Sequence, residues 1–205
     1  MKTYLNYPFT QTAWLLCLIC GMIVSTSIQT NAQQVYNLGP ESTMQIDGTS
    51  TLHDWSSQVK FIRGEGEFTF NGSQIQDITH LKISVAVNSI KSGKSVMDKI
   101  TYQALKAEQY PEVYYLLQSV KVLPDNKLAT TGKLTIAGIT RVANMELSYQ
   151  PHSAGKITVT GSLPIRMQDY NIDPPTAMMG TIKTGEQVTL HFKAVFTAAS
   201  QFSTL

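Results

Sequence analysis

Apolar and polar residues alternate with a period close to two over most of the chain, as expected of strands with one dry and one wet face. In "GEGEFTF", Gly64, Gly66, Phe68 and Phe70 share a face while Glu65, Glu67 and Thr69 take the other. The alternation returns with Leu81, Ile83, Val85 and Val87, with Leu128, Thr130, Gly132, Leu134 and Ile136, and with Ala143, Met145, Leu147 and Tyr149. Two further runs are Ile157, Val159, Gly161, Leu163, Ile165 and Met167, then Val188, Leu190, Phe192, Ala194 and Phe196. "VYYLLQSVKV" from Val113 is apolar on both sides, with Val113, Tyr115 and Leu117 assigned inward.

Turn signals separate these runs at "FNGSQ", "LPDNK", "IAGIT", "HSAGK" and "KTGEQ". "SVMDKITYQALKAEQYP" breaks the period and predicts a helix over about 95–108. Ser95 can cap it with Asp98 three positions on, Val96, Ile100 and Ala104 form a narrow apolar stripe, and Pro111 stops it. The chain is therefore expected to be all-β: one antiparallel sheet of about eight strands with a short helical excursion. Such a sheet must pack on a second sheet or close on itself.

Gly64, Gly66, Gly132 and Gly161 fall on the inward phase of their strands, where glycine weakens the strand and fills nothing. Singly they read as bends that curl the sheet; together they favour an interior with vacant volume.

The apolar segment Ala13 to Val24 is too short for a bilayer that needs about 20 residues, and it follows Lys2 near the N-terminus. It reads as an export signal cut after Ala32, leaving one domain over 33–205 in the periplasm or outside the cell. Cys17 and Cys20 both lie in the removed part, so no disulfide is expected. The chain has 16 basic and 14 acidic residues, and Arg63, Arg141 and Arg166 are scattered. That balance argues against nucleic acid as a partner. No second apolar stretch approaches membrane length.

"STLHDWS" at 50–56 brings Ser50, His53 and Asp54 close in sequence. A Ser-His-Asp hydrolase needs the three to converge in space, yet neighbours on a strand point to opposite faces, and no "GxSxG" elbow occurs. His53, His80, His152 and His191 lack zinc-site spacing. His53 and Trp55 are read as rim residues, the indole covering a barrel end, with packing or contact to a ligand head group both open. No catalytic residue, metal or cofactor is expected.

The order "GEFTF…ISVAVNSIKS…YPEVYYLLQSVKV…TGKLTIAGITRVANMELSY…GSLPIRMQDYNIDPP…EQVTLHFKAVF" resembles the YceI-like family of exported lipocalin-like barrels, some of which bind polyisoprenoid lipids. The likeness runs from about Val35 to Phe196. His53 loosely matches a family histidine at the end of the first strand, and "GTSTLHDW" marks a variant subgroup. The resemblance implies a closed antiparallel lipocalin-like barrel with an elongated apolar cavity and a binding role without known catalysis. The expected partner is an isoprenoid lipid, quinone-like molecule or other long apolar ligand, held as carrier, store or sensor. Expected cavity or rim residues are His53, Trp55, Gly66, Phe68, Phe70, Ile83, Val85, Tyr115, Leu117, Gly132, Leu134, Met145, Leu147, Gly161, Leu163, Leu190 and Phe192. The alternative is an interaction module whose barrel is filled by its own side chains.

Overall fold

The computed structural model describes residues 33–153 and 155–199. The expected export segment, 1–32 with both cysteines, lies outside the described residues. In chain order the elements are β1 (Gln34–Leu38), β2 (Thr43–Ser50), β3 (Trp55–Val59), β4 (Ile62–Asn71), β5 (Gln74–Ala86), β6 (Ile90–Lys91) and the helix α1 (Ser95–Ala104). Then come β7 (Glu112–Leu123), β8 (Lys127–Ile136), β9 (Ile139–His152), β10 (Lys156–Arg166), β11 (Thr176–Ala177) and β12 (Ile182–Ala198).

Hydrogen bonding runs β1-β4-β5-β7-β8-β9-β10-β12 and returns from β12 to β1, which closes an eight-stranded antiparallel barrel. The first strand of the ring is split. β12 pairs with β1 through Phe196–Ala198 and with β2 through Thr184–Lys193. Pro40, with no N–H to give, lies in the break. Val195 is satisfied by the corner instead: its carbonyl accepts from Gly39 N at 2.7 Å, and its N–H donates to Ser42 Oγ at 2.9 Å. On its other edge β2 pairs with β3, and β3 with β6, as a flap beside α1.

Two departures from the expected pattern have identifiable causes. "KTGEQ" does not turn; it lies within β12, where the pairing with β2 shifts register between Thr184 and Val188. This is a bulge. The helix begins after Lys94, with Ser95 already inside it and no side-chain cap. Asp98 instead turns back to Ser92, accepting from its N–H at 2.8 Å and its hydroxyl at 2.6 Å. The helix proper stops at Ala104, and Lys106, at φ 52°, carries the chain out of it.

The Ser92 hydroxyl, and then its N–H, hold the Asp98 carboxyl below its ordinary range. A lowered carboxyl stabilises the fold above its unfolded value of about 3.9, and that contribution is lost as pH falls through the folded value. Asp98→Asn is therefore expected to lower the melting temperature at neutral pH, with the gap to the parent narrowing below about pH 4. Thermal melts across acid pH measure this.

Apolar packing divides the barrel lengthwise. At the end of the β4–β5, β7–β8 and β9–β10 hairpins, Tyr36, Phe68, Ile75, Ile78, Leu128, Ile157 and Phe196 form a dense core. Phe68, with 0 % exposure, has ring centroids 5.0 Å from Tyr36, 5.2 Å from Phe196 and 6.3 Å from Phe70. At the opposite end, Ile136, Ala137, Met167, Tyr170 and Ile172 pack with Ala104, Leu105 and Tyr110. Three stretches distant in sequence meet there. The Tyr110 ring covers Gly138, at φ 81° in the β8–β9 turn, while Arg141 Nε donates to the Asp169 carbonyl at 2.9 Å.

Candidate functional site

Between the two packed ends lies a cavity of about 500 Å³, within the range of about 300–1,000 Å³ of small-ligand sites. Alternation on the strands builds its wall: Ile83 and Val85 from β5, Tyr115 from β7, Leu134 from β8, Met145 and Leu147 from β9, Leu163 from β10, and Leu190 and Phe192 from β12. All of these were expected inward. Met44 and Ile46 from β2, Val59 from β3, Ile62 from β4, and Met97, Ile100 and Leu105 from the helical segment also line it. Sequence reasoning did not assign these to the site. Met44, Ile46 and Gly48 do alternate against Gln45 and Asp47, but the run is short and ends in glycine.

Six expected lining positions stand elsewhere, and packing explains each. Phe68 is sealed in the aromatic core, and Phe70 and Leu117 pack against that core. Gly66, Gly132 and Gly161 do not open volume, because large neighbours fill the space a side chain would need. A Cβ at Gly132 would overlap the Tyr115 ring. One at Gly161 would overlap Leu147 and come within 2.9 Å of Phe192, and one at Gly66 within 2.9 Å of Leu81 Cδ1. The glycines are seats for side chains that form the wall.

Polar groups in the wall are few. Ser57, on the inward phase of β3 with Trp55 and Val59, is 2 % exposed, and its hydroxyl has no partner among the described residues. The Tyr115 hydroxyl is likewise buried without a hydrogen bond. Burial pushes the Tyr115 phenol up from its ordinary value. An unmade buried hydrogen bond costs about 1–3 kcal/mol. Ser57→Ala is thus expected to raise the melting temperature of the empty protein by roughly 2–4 °C for about 1 kcal/mol gained. Differential scanning calorimetry would detect it.

Exposed lining residues stand at two places: Leu52, His53, Lys94, Val96 and Thr176 at the helix end, and Thr43 with its β12 partner Lys193 beside the split between β1 and β2. No residue of α1 is fully buried, although Val96, Met97, Ile100, Thr101 and Ala104 all face the cavity. Tyr102 anchors the helix from its other side. Its hydroxyl accepts from Lys91 Nζ at 2.6 Å and lies 3.0 Å from the Asn88 and Ile90 carbonyls.

"STLHDWS" proves to be the β2–β3 turn. Ser50 Oγ donates to the His53 carbonyl at 2.7 Å and accepts from the His53 and Leu52 N–H groups at 3.2 and 3.3 Å. This is a serine-closed turn, and the hydroxyl is committed to backbone. His53 Nδ1 lies 2.7 Å from the Asp54 carbonyl, which assigns the ring proton to that nitrogen. The Trp55 indole lies on Gly48, its cross-strand partner, and donates to the Thr49 carbonyl at 3.0 Å. His53 and Trp55 thus both stand at the rim.

The barrel is similar to that of Burkholderia cenocepacia BcnA, with a TM-score of 0.66 and 18 % identity over 76 % of this chain and 96 % of the other. It is also similar to a polyisoprenoid binding domain from Saccharophagus degradans implicated in plant cell wall breakdown (TM-score 0.63, 16 % identity, 81 % and 99 % covered). A Campylobacter jejuni YceI protein aligns at TM-score 0.58 and 15 % identity over 98 % of this chain and all of the other. No curated protein sequence matches the chain. With the pattern of the YceI-like domain matched over residues 36–196, about four-fifths of the chain, the chain belongs to the YceI-like family.

Proposed function

We propose that the barrel binds one long apolar chain, an isoprenoid lipid or a quinone-like molecule, with its tail in the cavity and its head near His53 and Trp55. The observation that carries this reading is the apolar cavity itself, closed behind by aromatic packing and reaching the surface beside α1. Burying ten tail carbons at ~0.8 kcal/mol each contributes ~8 kcal/mol gross, comparable with the ~8.2 kcal/mol of a micromolar complex before binding costs. Ile83, Val85, Met145, Leu163, Leu190 and Phe192 would contact the tail. The likeness to the Saccharophagus degradans domain supports the ligand class, because that domain is described as polyisoprenoid binding. A barrel filled by its own side chains describes the aromatic end but leaves about 500 Å³ beneath α1 unaccounted for.

The protein is proposed to act as carrier, store or sensor of this molecule in the periplasm or outside the cell, exported through the segment 1–32. No helix among the described residues is long and apolar enough to cross a membrane. Native mass spectrometry of the purified protein, followed by organic extraction, tests the binding reading. A co-purified long-chain apolar molecule is expected. Persistent recovery of empty protein that also takes up no added isoprenoid would overturn it.

A further inference from the structure

We infer that the cavity mouth is a docking surface for an anionic phospholipid bilayer, from which an apolar ligand enters directly. This rests on the binding reading above but is carried by separate residues. Four large apolar side chains project from three turns at this end. Leu52, at the β2–β3 turn, is 66 % exposed, and Val96, in the first turn of α1, is 69 % exposed. Met178 is 74 % exposed and Met179 wholly so, at the tip of the β11–β12 hairpin.

The tips belong to one surface. Leu52 and Val96 line the mouth, as do Thr176 and Ile182 at the base of the methionine hairpin. That hairpin is tied to the Leu52 turn, since Thr51 N donates to the Lys183 carbonyl at 3.0 Å and Thr51 Oγ1 to the Thr181 carbonyl at 3.4 Å. Separate apolar protrusions around the mouth suit insertion into a soft interface better than a matched protein face. Charge favours the anionic leaflet on the helix side. Lys94 lines the mouth and Lys99 is exposed on α1, whose one carboxylate, Asp98, is turned onto Ser92. Asp54, Glu186 and Asp47 lie together in a shallow groove lined by β2, the start of β3 and β12, which orients the docked barrel helix side down. Long apolar chains reside in bilayers, so a mouth that inserts lets the tail pass without crossing water.

Flotation with phosphatidylcholine and mixed phosphatidylcholine–phosphatidylglycerol vesicles tests this, comparing parent and Met178→Ser/Met179→Ser variant in the same chain, so that contributions from any other segment cancel. The parent is expected to float with the anionic vesicles and to be partly released by salt. The variant should partition about tenfold more weakly with an unchanged melting temperature. A fluorescent farnesyl probe delivered from detergent micelles should fill both proteins alike, while delivery from vesicles should slow about tenfold in the variant. Equal flotation of the two, or a parent dimer that the variant abolishes, would overturn the inference and, in the second case, assign the methionines to a partner copy. Flotation that depends on the methionines, with no probe uptake from either donor, would uphold the docking surface and overturn the cavity reading.

Discussion

Gly132→Leu and Gly161→Leu are expected to destabilise the protein strongly, lowering the melting temperature by roughly 6–12 °C for a cost of about 3 kcal/mol. The inward phase of these glycines suggests a free site where a leucine could enter the cavity harmlessly. The geometry says the opposite: the Tyr115 ring lies on Gly132, and Leu147 and Phe192 crowd Gly161. Each substitution must displace a side chain that forms the cavity wall, so lost ligand occupancy would accompany lost stability. A tip-of-side-chain adjustment is unavailable at Gly132, because the obstacle is a rigid ring. Thermal melts of the two variants measure the effect. A leucine variant that melts with the parent while losing its ligand would show that the space is vacant after all.

Period-two patterning was enough to place most of the wall, because the inward set of a strand is decided by its own residues. Ile83, Leu134, Met145, Leu163 and Leu190 stand where alternation puts them. It failed where register slips. In β7 the pairing shifts between Leu117 and Ser119, so the inward positions pass from Leu117 to Val120. In β5 two irregularities interrupt the pairing with β4, and His80 takes φ 52° there, so Ile78 is buried out of phase with Ile75, Leu81 and Ile83. Depth along the barrel was also illegible. Phe68 and Ile83 both point inward, but only tertiary packing shows that one plugs the closed end while the other faces open volume. The split first strand and the flap of β2 and β3 escaped for a further reason: short runs broken by Gly39, Pro40 and Gly48 carry too little periodicity to be read. The quoted "YP", "GITR" and "QDYNI" stretches were recognisable as a combination, and their meeting at one corner gives a physical reason for it: Tyr110 covers Gly138, and Arg141 holds the turn that presents Tyr170 and Ile172.

Trp55→Ala is expected to cost about 2–3 kcal/mol, below the ~3–5 kcal/mol of a fully buried tryptophan because the indole is half-buried. Three contributions add. The ring covers Gly48, its N–H satisfies the Thr49 carbonyl at 3.0 Å, and its apolar face walls the cavity near the mouth. Removing it exposes the backbone of the β2–β3 pair and widens the opening, so ligand occupancy should fall with stability. His53→Ala should change stability by no more than about 0.5 kcal/mol, as for exposed positions generally, because the imidazole makes one local contact to the Asp54 carbonyl. The Ser50-closed turn uses only the backbone of His53 and survives the change. Melts and lipid extraction on the two variants decide the order. A His53→Ala protein that keeps its melting temperature but loses its bound molecule would move the imidazole from a rim position to a contact with the ligand head group, whereas a larger stability loss for His53 than for Trp55 would contradict this account of the turn.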